Sequence, residues 1–287
     1  MRIAWRYLFI SCEIVQLSVI LAKFNAYLMS GILFDEIVFG PVKSRRFGIS
    51  LGINLLPLNA KMCSFNCVYC ECGLNKDHKK EKPVLFTAAQ ISESLHSRFK
   101  ALKNEGLIPD NITFAGNGEP TLHPEFETII DEVILLRDSF FPKAKITVLS
   151  NSTRLHKENV KRALLRIDQN VLKLDAGTDA TFQTINRPVN KITLEKVVEQ
   201  LKLFSGRLII QTMLIRGNVD GHLVDNTSET EITSWLGFIK EINPKLVMLY
   251  PIDRRTPYAA LEKVPENEFN ALAARIEEMG IKAEVFY

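Results

Sequence analysis

The sequence predicts an α/β fold, an open and partial (β/α)6 barrel built on a parallel sheet. From about residue 49 onward, short β-branched runs alternate with helical patterns, and six such βα units can be counted. Six units are too few to close an eight-stranded barrel. A long stretch without a regular pattern follows the first predicted strand, at residues 57–86. Loops longer than ~15 residues in a compact domain are usually functional or disordered, so this loop is the first place to look for chemistry.

The predicted strands are short runs rich in β-branched residues and bounded by turn residues. They are Ile49–Leu56, Ile112–Ala115, Lys145–Leu149, Val171–Leu174, Leu208–Ile215 and Lys245–Tyr250, with Ile281–Phe286 as an added edge strand. The predicted helices carry apolar residues at helical spacing. They are Thr87–Lys103, Pro124–Phe140, Lys157–Arg166, Leu194–Phe204, Glu229–Ile242 and Glu266–Met279. Thr87 and Gln90 have the spacing of a capping box, which supports the start of the first helix.

The composition is that of an ordinary globular protein. Of the 287 residues, 46% are apolar and 24% charged, which argues against disorder. The formal net charge of +3 is too small to indicate a nucleic-acid partner by itself. No break in composition and no repeat divides the chain, so one domain is expected for residues 29–287.

Residues 1–28 need a separate interpretation. Arg2 and Arg6 precede an apolar stretch that superficially resembles a signal peptide. However, Glu13 divides the stretch, and no uninterrupted apolar run reaches the ~20 residues that cross a bilayer. We expect an N-terminal extension without a catalytic role, upstream of a natural start at Met29, and no membrane anchor.

Four of the five cysteines fall within ten residues, and the fifth, Cys12, stands apart. Disulfides between such close neighbours would close almost no loop, so a metal-binding or catalytic set in a reducing, cytoplasmic compartment is expected. The spacing is Cys63-x3-Cys67-x2-Cys70, followed by Cys72. Soft thiolates select zinc or iron–sulfur clusters. From spacing alone, both remain open, and Cys72 is either a fourth ligand, an unligated thiol or a group that faces substrate.

This spacing, with Tyr69 directly before the third cysteine, resembles the signature of the radical S-adenosylmethionine (SAM) superfamily. The resemblance implies that Cys63, Cys67 and Cys70 hold a 4Fe–4S cluster and leave one iron open for the amino and carboxylate groups of SAM. It also implies reductive cleavage of SAM to a 5′-deoxyadenosyl radical, which abstracts hydrogen from a substrate. No catalytic residue beyond the cluster ligands is assigned.

A glycine-rich turn follows the second predicted strand, in the run Phe114-Ala-Gly-Asn-Gly-Glu-Pro120. Glycines at a strand end let the backbone approach a ligand closely. The turn resembles the Gly-Gly-Glu motif of the superfamily, which implies that Gly116, Asn117, Gly118 and Glu119 contact the methionine amino group. The alternative is a tight βα turn with a solvated Glu119.

Polar residues recur where successive predicted strands end, and ligand sites of α/β sheets assemble at that edge. They are Ser150, Asn151, Lys173, Asp175, Gln211, Thr212, Tyr250 and Asp253. The resemblance implies that such positions bind the ribose, the methionine carboxylate and the substrate, with Ser150 or Asn151 as ribose ligand. For Lys173, Asp175 and Gln211, satisfied polar residues at the barrel mouth are an equal alternative.

A closer likeness covers roughly Phe39 to Pro257. The runs Phe39–Gly52, Cys67–Gly73, Asn117–Pro120, Lys173–Gly177 and Ile185–Pro188 resemble a group of small radical SAM iron–sulfur oxidoreductases, similar to the catalytic core of the wyosine-forming tRNA-modifying enzymes. This likeness implies fold and cofactors but leaves the substrate open among small molecules, RNA bases and protein residues. It also implies a reducing partner such as a flavodoxin or ferredoxin.

Several basic residues have both a functional and an ordinary interpretation. Arg45, Arg46, Arg187, Arg254 and Arg255 are candidate anion contacts, because arginine offers planar, bidentate recognition, but most arginines are surface residues. The basic run Lys76–Lys82 is either a solvated loop or a channel for a phosphate-bearing substrate. Sequence gives His123 and His156 no identifiable partner.

Two other functions compete with a radical SAM enzyme. One is a non-catalytic iron–sulfur electron carrier in which Cys72 saturates the cluster. The other is a zinc-stabilised RNA-binding module, which the small net charge disfavours. The electron carrier leaves the turn at Asn117–Glu119 unexplained.

Overall fold

The computed structural model describes residues 31–78 and 83–287. Residues 1–30 lie outside this range, so the expected N-terminal extension and Cys12 fall outside the described residues, as does the Lys79–Lys82 part of the basic run.

The described chain contains eleven strands. They are β1 (Val38–Ser44), β2 (Gly48–Ile53), β3 (Asn111–Phe114), β4 (Lys145–Ser150), β5 (Gln169–Lys173), β6 (Ile209–Met213), β7 (Ile215–Val219), β8 (His222–Asp225), β9 (Leu246–Tyr250), β10 (Leu261–Lys263) and β11 (Ala283–Val285). It also contains seven α-helices. They are α1 (Ala88–Glu105), α2 (Phe126–Phe140), α3 (Glu158–Arg166), α4 (Asp179–Ile185), α5 (Leu194–Lys202), α6 (Glu229–Ile242) and α7 (Glu266–Glu278).

The main sheet has eight strands in the order β1-β2-β3-β4-β5-β6-β9-β11 and curls into a half-barrel. All neighbours pair in parallel except β1, which is antiparallel to β2. The predicted open, partial barrel is therefore confirmed, with the predicted edge strand at β11. Two features of the architecture were absent from the prediction: the antiparallel β1, and a small second sheet in the order β10-β7-β8.

Side-chain alternation separates the two faces of the main sheet. Leu172, Ile210 and Val247 belong to the large apolar core that also contains Trp235 and Ile239 of α6. Because successive side chains of a strand point to opposite faces, Lys173, Gln211 and Tyr250 lie on the face away from that core. This inner face is partly polar, in contrast to a closed barrel packed with apolar layers.

The turn between β1 and β2 covers part of the inner face, on strands β5, β6 and β9. Phe47 is buried against Val171, Ile209 and Met248, one from each of three neighbouring strands. Arg46, the residue before it, is thereby carried onto the inner face of β6 and β9. The hairpin thus contributes side chains to the interior of the half-barrel, which a parallel βα pattern alone does not predict.

Helix α1 shows how local sequence sets the boundaries. The Gln90 amide donates to Thr87 Oγ1 at 3.3 Å, and the Thr87 amide donates to Gln90 Oε1 at 2.9 Å, which confirms the predicted capping box. The helix ends at Gly106, whose φ of +70° lies in the left-handed region that favours glycine.

Helix α4 was missed, because its seven residues are too short for apolar periodicity to stand out. The predicted strand Leu208–Ile215 is interrupted at Leu214, so that β6 stays in the main sheet and β7 starts the small one. No helix within the described ranges is long and apolar enough to cross a membrane.

Candidate metal and cofactor site

The loop that carries the four cysteines follows β2, and backbone hydrogen bonds hold it on two sides. Met62 bridges Gly118 on one side, and Phe65 bridges Pro188 on the other. In addition, the Val68 amide donates to the carbonyl of Ile185 at 3.0 Å. The loop is therefore held between the turn after β3 and the segment after α4, although it has almost no regular secondary structure of its own.

Cys63, Cys67 and Cys70 all carry free thiols, with Cys67 buried and the other two half-buried. Asn151 Nδ2 donates to Cys63 Sγ and Asn186 Nδ2 donates to Cys67 Sγ, each at 3.5 Å. Each thiol is close enough to influence the charge of another: burial raises the pKa of Cys63 and of Cys67, and neighbouring thiols add to the shift. The structure thus brings the three sequence-predicted ligands into one electrostatic neighbourhood.

The chemistry of these thiols bears on the kind of metal they could hold. Soft thiolates bind zinc or iron–sulfur clusters, and 4Fe–4S clusters are held by cysteine thiolates. Within the described ranges, no group of three His, Cys, Asp or Glu side chains is arranged to hold a single metal ion. The donor set of Cys63, Cys67 and Cys70, three cysteine thiols in one loop, is of the type that holds iron–sulfur clusters.

Cys72 lies beside the predicted ligands, buried, and its thiol donates to the Gly116 carbonyl oxygen at 3.4 Å. A hydrogen bond with Cys72 lowers the pKa of Cys70 to about 5, although burial opposes this, and the same bond raises the pKa of Cys72. Cys72 is therefore tied both to a predicted ligand and to the glycine-rich turn.

Lys61 is a site residue that the sequence analysis missed. Its side chain is buried, and its Nζ donates to the Gly73 carbonyl oxygen at 2.7 Å. Burial lowers the pKa of Lys61, but the negative charges of Cys70, Cys63 and Cys67 outweigh it, so that its pKa is raised overall. The only available signal was a lysine two positions before the first cysteine, which is too common to single out.

The turn after β3 is tightly packed against the cysteine loop. A Cβ on Gly118, whose φ is +141°, would lie 1.9 Å from the Met62 carbonyl oxygen, so glycine is required for this approach. The Asn117 side chain is fully buried: Oδ1 accepts from the Phe34 amide, and Nδ2 donates to the carbonyls of Phe34 and Pro57. Its amide group thus holds the turn against residues 34 and 57.

Glu119 is buried rather than solvated, unlike the ordinary interpretation of this turn. Its carboxylate accepts four hydrogen bonds, from the Thr121 amide and hydroxyl, from Ser150 Oγ at 2.8 Å and from the Asn151 amide at 2.6 Å. Burial raises the pKa of Glu119, while these hydrogen bonds oppose the shift. Glu119 therefore connects the end of β3 to the end of β4 and positions Ser150 and Asn151.

A second buried network joins the cysteine loop to β5. The Tyr69 hydroxyl donates to Asp175 Oδ2, and Asn186 Nδ2 donates to the same oxygen at 2.8 Å. Lys173 Nζ lies 3.5 Å from Asp175 Oδ2 and 5.1 Å from the centre of the Tyr69 ring. Burial disfavours the charge of Lys173, but Asp175 and Tyr250 more than offset it and raise its pKa.

Gln211 contacts an arginine of the β1–β2 turn rather than a residue of the cysteine loop. Its Oε1 accepts from Arg46 Nη1 at 3.0 Å, and the Arg46 guanidinium lies 4.8 Å from the centre of the Tyr250 ring. Thr212, in contrast, donates to the Leu174 carbonyl and lies on the opposite face of β6 from Gln211. Asp253 pairs with Arg45 at 3.1 Å.

Several other residues considered from sequence have partners within the chain. Arg187 donates to Tyr258 and Asp220, and Arg254 pairs with Glu71 at 2.8 Å. His123 Nε2 lies 2.8 Å from the Phe86 carbonyl oxygen, so it has the structural partner that sequence did not reveal. His156 is exposed.

The family model described as the radical SAM superfamily matches residues 60–227, more than half of the chain. A UPF0026 protein from Methanocaldococcus jannaschii is 35% identical over 237 residues, which cover 81% of this chain and 68% of the relative.

Solved structures share the fold. A radical SAM methyltransferase from Sphaerobacter thermophilus superposes with a TM-score of 0.61 at 16% identity, and the match covers 82% of this chain and 65% of that one. This chain therefore spans less than two thirds of the methyltransferase. Archaeal TYW1 superposes with a TM-score of 0.51 at 16% identity, over 80% of this chain and 71% of that one.

Proposed function

The chain belongs to the radical SAM superfamily, and to its UPF0026 group, and on that premise we propose that it binds a 4Fe–4S cluster and SAM and cleaves SAM reductively. Members of the superfamily bind these two cofactors. The single observation that carries the proposal for this chain is the loop at 61–73, which brings three free cysteine thiols together beside the buried Lys61, since cysteine thiolates are the ligands of iron–sulfur clusters.

Cys63, Cys67 and Cys70 would hold the cluster. When bound, a reduced 4Fe–4S cluster supplies the electron that cleaves SAM to methionine and a 5′-deoxyadenosyl radical, and the chemistry belongs to the cofactors. The chain's own residues bind and orient. Asn151 and Asn186 donate towards Cys63 and Cys67, which stabilises thiolates, and Lys61 places a positive charge beside all three sulfurs.

We assign the amino-group contact of SAM to the backbone of the turn Gly116–Glu119, and the ribose contact to Ser150 or Asn151. The burial of Glu119 and Asn117 supports a positioning role for their side chains. Tyr69, Lys173 and Asp175 form one buried network next to Cys67, and we propose that this network orients SAM or the substrate.

We further propose that the radical abstracts hydrogen from an unidentified substrate, that the enzyme is an oxidoreductase, and that it acts in the cytoplasm. A small molecule, an RNA base or a protein residue fits this chemistry. The cluster must be reduced before SAM is cleaved, so a reducing partner such as a flavodoxin or ferredoxin is part of the proposal.

We place the catalytic unit at residues 29–287, with residues 1–28 as a non-catalytic extension. A Cβ on Gly31 would collide with the backbone of Cys72 and Gly73, and the Ile32 amide donates to the Glu71 carbonyl at 2.9 Å. Residues 31 and 32 thus contact the cysteine loop, which supports their inclusion in the catalytic unit.

The proposal is tested by anaerobic reconstitution with iron and sulfide, followed by iron analysis, electron paramagnetic resonance and assay of 5′-deoxyadenosine after reduction with dithionite. We expect four irons per chain and deoxyadenosine formation, both lost in Cys67→Ala. Cys12→Ala is the control for removal of a thiol from outside the loop. Retention of cluster and deoxyadenosine formation in Cys67→Ala would contradict the proposal.

Cys72→Ala separates this proposal from an electron carrier with a saturated cluster. If Cys72 is not a ligand, the variant keeps its iron and its spectrum still changes on addition of SAM. An electron carrier that uses Cys72 as fourth ligand would lose or degrade its cluster in this variant, and the wild-type spectrum would ignore SAM. A zinc module would give colourless protein with one zinc per chain.

A further inference from the structure

Two consecutive arginines in the β1–β2 turn have opposite surroundings. Arg45 is exposed and pairs with Asp253 at 3.1 Å, an ordinary surface ion pair. Arg46 is half-buried on the inner face of the half-barrel, where the neighbouring Phe47 is anchored among Val171, Ile209 and Met248. The fold therefore directs one arginine to the surface and the next into the interior.

Arg46 meets neutral partners in this interior. Nη1 donates to Gln211 Oε1 at 3.0 Å, and the guanidinium carbon lies 4.8 Å from the Tyr250 ring centre and 5.2 Å from that of Phe47. Among the described residues, no carboxylate lies within ion-pair distance of Arg46, and its Nε and Nη2 make no hydrogen bond. Burial accordingly lowers the pKa of Arg46.

This arrangement is unfavourable for folding alone. Removing a charge from water is costly unless a counter-charge and hydrogen bonds replace the water. An amide oxygen and the face of an aromatic ring stabilise a guanidinium but carry no counter-charge, and Glu71 acts on Arg46 only from beyond ion-pair distance. A half-buried cation with unused donors is therefore a candidate for binding an anion from outside the chain.

The surroundings of Arg46 reinforce this interpretation. Lys173 Nζ donates to the Tyr250 hydroxyl at 3.2 Å, so a second cation lies beside the same tyrosine. Lys173 lies 3.5 Å from the Asp175 carboxylate, whereas no described carboxylate lies within ion-pair distance of Arg46, and Glu71 acts on it from farther away. The same Lys173 lies over the Tyr69 ring of the cysteine loop at 5.1 Å. Arg46 is thus connected to the candidate cofactor site through Tyr250 and Lys173.

We propose that Arg46 binds an anionic oxygen group of the substrate, a carboxylate or a phosphate, at the inner face of β6 and β9. Gln211 is then a positioning residue that orients the guanidinium, and the Tyr250 ring supports its plane. A planar guanidinium with free donors is suited to both anions, because it can form two parallel, charge-assisted hydrogen bonds. This inference rests on the proposed function and narrows its substrate class to acids and phosphate esters.

The test is isothermal titration of the reconstituted, cluster-loaded protein with inorganic phosphate and, separately, with malonate, at constant ionic strength and without reductant. We expect wild-type protein to bind one of these anions saturably and Arg46→Gln to bind it about 10-fold more weakly. Arg45→Gln is the matched control, since it removes the same charge from the adjacent position, and its affinity should stay within about twofold of wild type.

Arg46→Lys is a second test variant in case Arg46→Gln does not fold. It keeps the charge but lacks the planar fork, so we expect an affinity between those of wild type and Arg46→Gln. The anion that binds more tightly identifies the group as carboxylate or phosphate. Equal affinities of Arg46→Lys and wild type, equal losses in Arg45→Gln and Arg46→Gln, or no binding of either anion to wild type would overturn the proposal. The titration requires no turnover, so it tests anion binding by Arg46 even if the protein forms no deoxyadenosine.

Discussion

Lys61 Nζ donates to the carbonyl oxygen of Gly73 at 2.7 Å, and these two residues enclose all four cysteines of the loop. One side chain thus joins the two ends of the segment that carries the predicted ligands. The same ammonium group lies close enough to Cys70, Cys63 and Cys67 for their charges to raise its pKa. Lys61 therefore has a mechanical and an electrostatic effect on the same site.

We expect Lys61→Met to weaken iron retention by about 10-fold, the lower end of what outer-shell partners of metal ligands contribute. The substitution keeps most of the side-chain volume but removes the hydrogen bond to Gly73 and the charge beside the thiolates. The measurement is iron per chain after a timed incubation with a chelator under anaerobic conditions. Lys76→Met is the control, because Lys76 is an exposed lysine in the same loop. Equal iron retention in the two variants would show that Lys61 has no special effect.

The sequence predicted the parallel sheet well, because each βα unit carries its own periodicity and its own turn residues. It identified Cys63, Cys67 and Cys70 as candidate ligands because four of the chain's five cysteines lie within ten residues. Contact between Arg46 and Gln211 could not be predicted from sequence, since 165 positions separate them. The antiparallel β1–β2 hairpin that places Arg46 beside Gln211 also lacks a βα pattern. Lys61 and Asn186 were missed for a related reason: a lone polar residue gains meaning only from the side chains that the fold places beside it.

Glu119→Gln should destabilise the fold by about 2 kcal/mol. A glutamine keeps one oxygen for Thr121 and Ser150, but its amide nitrogen would face the Asn151 amide, which is also a donor. Two donors then oppose each other in a fully buried position. The measurement is the midpoint and slope of urea unfolding. Glu127→Gln serves as control, because Glu127 forms exposed ion pairs with Arg162 and Arg166, and its loss should change the midpoint little. Similar effects of the two substitutions would refute this account of Glu119.

Gly118→Ala should disrupt the junction between the glycine-rich turn and the cysteine loop. The new methyl group would lie 1.9 Å from the Met62 carbonyl oxygen, so the turn and the loop would have to separate. Gly106→Ala is the matched control: Gly106 also has a positive φ, but nothing lies within 4 Å of its added Cβ. It should cost only the backbone strain, of order 1 kcal/mol.

The comparison of these two glycine variants requires two measurements. Urea unfolding reports the strain that both share, and iron content after reconstitution reports damage to the loop. We expect Gly118→Ala to reconstitute with less iron than Gly106→Ala at equal fractions of folded protein. If both variants load iron equally, the turn after β3 does not support the cysteine loop.

Lys173→Met should destabilise the protein by about 3 kcal/mol, because it leaves Asp175 buried without its nearest positive charge. The Lys173 side chain is 14% exposed and that of Asp175 is 0% exposed, so water can replace the lost charge only poorly. The double variant Lys173→Met/Asp175→Asn removes both charges. Its amide oxygen can still accept from the Met213 amide, and its nitrogen can donate to Asn186 Oδ1, which has no partner in the wild type, once the Asn186 amide turns over. The double variant should therefore be more stable than Lys173→Met alone, which urea unfolding of both variants measures. A double variant that is no more stable than Lys173→Met would show that loss of the counter-charge is not what destabilises the single variant.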